Sequence, residues 1–341
     1  MGKTLIKIKF QNGFLFDTFL REVFEIEGLT DIYNFVESDN PDYIIFGPYG
    51  NDIPKKGNYT RIGYFCENII PDLTICDYAF GVMPETMINN SKYKRIQWHA
   101  LNPKALIKTE TYNIDEIISQ KKYFCNFLYS HKVPYREEFF KQLSKYKKVD
   151  APGKSMNNME SIDNKYVGDI WERKKQFLSP YKFTIAFENY VFPGYQTEKL
   201  YDAMQMNSIP IYCGDPYIGD IFNTSSFINA NDYIKSKPSA ITNWIEKNSQ
   251  MDFIDMLPQF HKTPYHRIKR KVKSIGRKIK MRRQFQNLNF SALIDRVIEI
   301  DKNPEEYLKV LNQPWFINNL PPQNVSLRNR WIEIFSNNPP L

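Results

Sequence analysis

Cysteine is scarce, and none of it is paired by spacing. Cys66, Cys76, Cys125 and Cys213 are the four cysteines of 341 residues, and no two stand in C-x-x-C spacing. That argues against a zinc ribbon and against a disulfide framework, and leaves them as small buried hydrophobes. No run approaches the roughly 20 apolar residues that span a bilayer, and "MGKTLIKIKFQNGF" passes directly into strand alternation without the apolar core of a signal peptide. Gly2 does not open a myristoylation motif, because position 6 is Ile where Ser or Thr is required. An intracellular, cytoplasmic chain is expected. G-x-G-x-x-G, G-x-S-x-G and H-E-x-x-H are all missing, and "PGKS" at 152–155 lacks the upstream glycine of a Walker loop. D-x-D is missing too, which counts against a diphosphate held through a carboxylate-bound metal. Neutralisation of an anion then falls to Lys, Arg and helix N-termini.

Acidic residues are absent from one long segment. Between Met256 and Ile294 the chain has eleven Lys or Arg and no Asp or Glu, so taking that segment from the formal charge of +8 leaves −3 for the remainder. The basicity belongs to one region rather than to the whole surface. Hydrophobic content of 42% with 25% charged residues is that of a globular protein, and 341 residues suffice for two domains. The 22 Tyr and 25 Phe suit carbohydrate contacts, although core packing is their ordinary use.

Short apolar runs bounded by turn residues, "TLIKIKF", "DYIIFG", "TRIGYFCE", "CDYAFGVM" and "KRIQWHA", predict strands, with a helix in "FDTFLREVFEIEG". After the polar connector "IKTETYNIDEIISQKK" a second series follows: "YFCNFLYS", "KKVDAPG", "FTIAFEN", "SIPIYCG" and "SFINAND". Helices are predicted there in "PYREEFFKQLSKY" and "TEKLYDAMQMN". The fold class read from this is α/β: two Rossmann-like domains, 1–115 and 116–233, then a basic helical insertion, 234–288, and C-terminal helices, 289–341. In "RIKRKVKSIGRKIKMRR", Ile268, Val272, Ile275 and Ile279 recur at helical spacing as a narrow apolar stripe with a cationic remainder. That fits a helix lying on an anionic membrane, with 267–283 as the contact. A solvated charged helix weakened by Gly276 is the plain alternative.

"AFENYVFPGYQTEKLYDAMQ" places Glu198 and Lys199 where a loop enters a helix capped by Thr197. A lysine there is mildly unfavourable against the helix dipole unless an anion binds at the same end. Ligands of open α/β sheets bind outside the carboxyl ends of strands, so Lys199 is a candidate for a phosphate and Glu198 for ribose hydroxyls. An exposed Glu-Lys pair on an ordinary helix is the alternative.

The stretch "FTIAFENYVFPGYQTEKLYDAMQMNSIPIYCGDPYIGDIFNTSSFINANDY" resembles the donor-binding motif of the α-1,3/4-fucosyltransferases: F-x-x-x-F-E-N, a short loop, Y-x-T-E-K, I-P-I/V-x-x-G and S-F-I/V. The resemblance implies a GT-B glycosyltransferase architecture of bacterial type, GDP-β-L-fucose as donor, and inverting transfer; with D-x-D missing and cations at the diphosphate, no cofactor or metal is expected. It places Lys199 on the diphosphate, Glu198 on the ribose, and Asn189 and Tyr195 in the donor pocket, with Glu188 of "FEN" beside them. "FLYSHKVPYREEFFKQL" is similar to the segment whose arginine clamps the diphosphate, with Arg136 as counterpart; a planar guanidinium suits phosphate oxygens. "YFCENIIPDLTICDYAFG" resembles the segment carrying the general base, here Glu67, with Glu188 as the rival. It departs from the pattern at Ile69 and Ile70, where Glu-Ser is frequent, so the second carboxylate is missing. Residues 234–288 are not accounted for by the family core. The expected acceptor is a hydroxyl of an oligosaccharide or lipopolysaccharide glycan, α-1,3 or α-1,4 to GlcNAc, with peripheral attachment to the inner face of the membrane. Another GDP-linked deoxysugar is the alternative donor. A nucleic-acid-binding protein is the alternative of another class, disfavoured because no RNP-type or KH-type sequence accompanies the basic run.

Overall fold

Alternation in "TLIKIKF" becomes β1 (Thr4–Gln11), which turns Ile6, Ile8 and Phe10 into the core. The computed structural model describes residues 2–97, 99–109, 113–233, 239–322 and 326–337. Along the first domain follow β2 (Tyr33–Glu37), β3 (Tyr43–Phe46), β4 (Thr60–Phe65), β5 (Ile69–Ile70), β6 (Tyr78–Gly81) and β7 (Tyr93–Arg95). All but β5 join β1 in one parallel sheet of order 2-1-3-4-6-7. The helix expected in "FDTFLREVFEIEG" forms as an α-turn, Phe16–Phe19, continued by a wider π-helical stretch, Leu20–Glu25, that buries Phe19, Val23 and Phe24.

The second domain holds β8 (Tyr123–Asn126), β9 (Val149–Asp150), β10 (Tyr181–Phe187), β11 (Ile209–Cys213) and β12 (Ile228–Asn229), parallel in the order 12-11-10-8-9. Phe183–Phe187 and all of β11 are buried, as the central strands of a parallel sheet covered on both faces must be. Helices Pro134–Leu143 and Glu198–Gln205 belong to this layer. Residues 289–341, read as one helical unit from sequence, divide between the two cores. Ser291–Lys302 and Pro304–Asn312 pack on the second, whereas Arg328–Asn337 crosses back and stacks Trp331 on Phe80 in the first, ring centroids 4.3 Å apart.

Of the segment 234–288, expected from the sequence as an insertion, residues 234–238 lie outside the described residues. The rest forms helix Ala240–Ser249, strand β13 (Met251–Asp252) and the long helix Pro264–Gln284. β13 pairs in parallel with β5, Met251 against Ile69 and Asp252 against Ile70. Phe253 and Leu257 bury with Phe46, Phe65 and Ile69. The unusual Ile69-Ile70 is thus the docking edge for the insertion. The helix faces are arranged opposite to a simple amphipath. Lys273 is buried against Asp252 and Asp255, and Lys280 against Glu246, while Ile268 (65% exposed), Val272 (61%), Ile275 (47%) and Ile279 (41%) face outward. Gly276 lies where the two helices touch: a Cβ there would meet the Cβ of Ser249 at 2.8 Å. Its glycine serves close approach. No helix among the described residues is long and apolar enough to cross a membrane.

Candidate active site

The loop expected to bind the donor begins where β10 ends. Glu188, fully buried, turns its carboxylate along the loop and accepts from Thr197 N at 2.9 Å and Thr197 Oγ1 at 2.8 Å. Thr197 caps the helix Glu198–Gln205, its hydroxyl accepting from Lys199 N. The lysine that seemed misplaced at a helix start folds back. Lys199 Nζ lies 3.3 Å from a Glu188 oxygen and 3.3 Å from a Glu198 oxygen. Burial opposes its charge, but these two carboxylates prevail and raise its pKa. Burial likewise opposes ionisation of Glu198, but Lys199 and Lys174 pull it down to about 2. Glu188 is raised by burial, with Lys199 working against the shift.

Arg136, in the first turn of helix Pro134–Leu143, is 1% exposed. Its guanidinium lies over the Tyr129 ring at 3.6 Å and donates to the carbonyls of Phe187 (3.3 Å) and His131 (2.6 Å) and to Asn189 Oδ1 (3.3 Å). Its Nε–H is buried without a partner. Arg136 therefore joins the ends of β8 and β10 while its Nε–H stays unpartnered. Asn189 directly follows Glu188, so the Arg136 contacts lie next in the chain to the Lys199 cluster.

The loop is pressed against the first domain. Gly194 has φ +79°, and a Cβ there would stand 2.0 Å from Val82 O, so only glycine fits. Phe192 and Tyr195 bury against Val82. Asp215, buried just after β11, accepts from Gly194 N (2.8 Å) and Gln196 Nε2 (2.7 Å), and Arg95 of the first domain reaches it at 3.4 Å. Tyr195 OH crosses to donate to Glu67 Oε2 at 3.0 Å, and Tyr49 OH donates to Oε1 at 2.9 Å. Glu67, half-buried, follows β4 at its carboxyl end.

The structure so gathers Arg136, Glu188, Asn189, Glu198 and Lys199 at the ends of β8 and β10, and joins Tyr195 to Glu67 across the two domains. Of the two carboxylates considered as base, Glu188 is sealed between Thr197 and Lys199 and Glu67 faces the domain boundary. Tyr49, Arg95, Tyr129 and Asp215 escaped the sequence reading. Asp215 alone carried a local signal, an acid directly after a parallel strand in "IYCGD".

Residues 118–253 match the family model "Glycosyltransferase family 10 (fucosyltransferase) C-term", and residues 8–101 match "Alpha-(1,3)-fucosyltransferase FucT N-terminal domain". A putative fucosyltransferase of Acanthamoeba polyphaga mimivirus is 38% identical over 127 residues, 36% of this chain and 21% of that protein. The alpha-(1,3)-fucosyltransferase FucT of Helicobacter pylori is 28% identical over 335 residues, covering 84% of this chain and 65% of that one. The chain thus spans less than two thirds of the length of these relatives. Crystal structures of an alpha1,3-fucosyltransferase with GDP and with GDP-fucose align at TM-score 0.65, the first at 21% identity over 98% of this chain and 90% of that one. That agreement identifies the fold as the two-domain GT-B arrangement of parallel sheets. With a family model matching each of its two sheets, the chain belongs to glycosyltransferase family 10, the fucosyltransferases.

Proposed function

We propose that the chain transfers L-fucose from GDP-β-L-fucose, with inversion, to a hydroxyl of an acceptor glycan, α-1,3 or α-1,4 to GlcNAc. The observation that carries this reading is the contact between Glu67 and Tyr195: a strand-end carboxylate of one domain meets the donor loop of the other. In the proposed step Glu67 accepts the acceptor hydroxyl's proton as that oxygen bonds to the anomeric carbon. The bond from that carbon to the β-phosphate oxygen breaks, and its electron pair leaves with GDP. Lys199 and the unpartnered Nε–H of Arg136 neutralise the departing diphosphate, and Glu198 holds the ribose. With these cations at the diphosphate, the reaction proceeds without a metal. The outward stripe on helix Pro264–Gln284, together with the exposed Trp244 (66%) and Tyr265 (71%) in the same 234–288 segment, supports peripheral attachment to an anionic membrane face. The inward pairing of Lys273 and Lys280 removes those cations from any nucleic-acid surface.

The test incubates the protein with GDP-fucose, GDP-mannose and UDP-sugars against N-acetyllactosamine, with and without EDTA, and reads product by mass spectrometry and anomeric configuration by NMR. An α-fucoside formed from GDP-fucose alone, in chelator, is expected. A different donor, or activity lost to EDTA and restored by manganese, would overturn the corresponding part.

A further inference from the structure

Helix Pro264–Gln284 does more than present a stripe. Between it and the start of helix Pro134–Leu143 lies a cavity of about 660 Å³. Its lining mixes basic and apolar side chains. Lys132 and, from the basic helix, Arg277, Lys278 and Arg282 supply cations, and no carboxylate lines it among the described residues. Met281 and Leu288 supply an apolar side. Two further wall residues, Ile275 and Ile279, belong to the outward stripe, so the cavity opens along that surface. Asn189, which accepts from Arg136, also lines it. Arg277 and Lys280 both lie over the ring of Tyr190, next to Asn189, and Arg277 also donates to Ser249 O, which fixes the basic helix against the donor loop.

A pocket that brings Lys132, Arg277, Lys278 and Arg282 together with aliphatic side chains, and whose lining includes both residues of an exposed apolar stripe and Asn189 after β10, matches one ligand chemistry. Phosphate oxygens are neutralised by clustered Lys and Arg, and a hydrocarbon chain is accommodated by isoleucine, methionine and leucine. We propose that this cavity binds the phosphate of a lipid-linked acceptor glycan. The chain would lie along Ile275 and Ile279, the phosphate among Lys132, Lys278 and Arg282, and the sugar would extend toward Asn189. The proposal rests on the fucosyl-transfer reading for what the glycan is there to receive, but the site is distinct from the donor's, and the insertion builds it.

The experiment measures binding of N-acetyllactosamine carried on a short-chain alkyl diphosphate, below its micelle concentration, to the full chain with saturating GDP present. The comparison ligands are the same sugar on a neutral alkyl glycoside and free alkyl diphosphate. Wild type is expected to prefer the diphosphate-linked glycan over the neutral one by about tenfold or more, a difference that Lys278→Glu with Arg282→Glu abolishes. Arg270→Glu with Lys271→Glu, the same charge change about two turns earlier on the helix and outside the cavity, should retain it. Equal affinity for charged and neutral ligands, loss of binding when GDP is added, or a preference untouched by Lys278→Glu and Arg282→Glu would overturn the proposal. Vesicles of phosphatidylglycerol separate the sources: competition by them at equivalent phosphate would mean that a bilayer headgroup, and not the acceptor, fills the site. Binding is read without turnover, so a protein that fails to use GDP-fucose refutes the transfer reading and leaves this result standing.

Discussion

Tyr195 and Glu67 belong to different domains, and a hydrogen bond of 3.0 Å joins them. Tyr49 fixes the other carboxylate oxygen at 2.9 Å. On the proposed reading, a carboxylate held in this way is oriented before the acceptor arrives. Glu67→Gln should lower kcat by about 10²-fold or more while GDP affinity, measured by titration calorimetry, stays near wild type. Glu188→Gln should instead lower thermal stability, because the buried carboxylate closes the loop through Thr197. If Glu188→Gln gives the kinetic loss and Glu67→Gln does not, the base is misassigned.

Lys199→Ala should reduce kcat/KM by about 2 to 4 kcal/mol in transition-state terms, because charge developing on the diphosphate goes unneutralised. It should also change the pH dependence of stability. Burial already raises the Glu188 pKa above 4.5, and Lys199 is what opposes that shift. Without it the folded variant holds a proton that the unfolded chain releases, so stability should fall as pH rises above about 4.5. Urea midpoints between acid and neutral pH that match those of wild type would contradict this account.

His99 contributes with the opposite sign. Burial lowers its pKa from 6.5 to about 4, with Glu198 opposing the shift. Between those values the unfolded chain binds more protons than the folded one, so stability is complete above about 6.5 and falls as pH drops toward about 4. His99→Gln should flatten that part of the curve in urea titrations. An unchanged slope would show that His99 is not responsible.

Ile268→Asn with Val272→Asn should abolish binding to anionic vesicles in a sedimentation assay without lowering the melting temperature, since these side chains are 65% and 61% exposed and outside the cores. Vesicle binding that survives, or that is never seen with wild type at low salt, would leave the stripe without a lipid role.

The parallel sheets and the donor motif were legible because both rest on local signals. Strand alternation, turn residues, Thr197 before a helix and the spacing of Glu188 from Lys199 each lie within one short stretch of chain. The stripe of Ile268, Val272, Ile275 and Ile279 was equally local, as a helical period shows which residues share a face. It does not show which face turns inward. Only the tertiary structure decided that lysines would face the protein, because Asp252, Asp255 and Glu246 come from elsewhere in the insertion and make burial of Lys273 and Lys280 tolerable. The same holds for Ile69-Ile70, which reads as a departure from a motif until β13 is seen paired to it. It holds again for Tyr49, Arg95 and Asp215, whose partners are separated by tens of residues or lie in the other domain. The sequence by itself determined the two sheets, the capped helix and the loop between β10 and that helix. The close packing of one domain on the other determined where Glu67, Tyr195 and the basic helix meet, because contacts distant in sequence are set by the shape of whole layers and not by any local pattern.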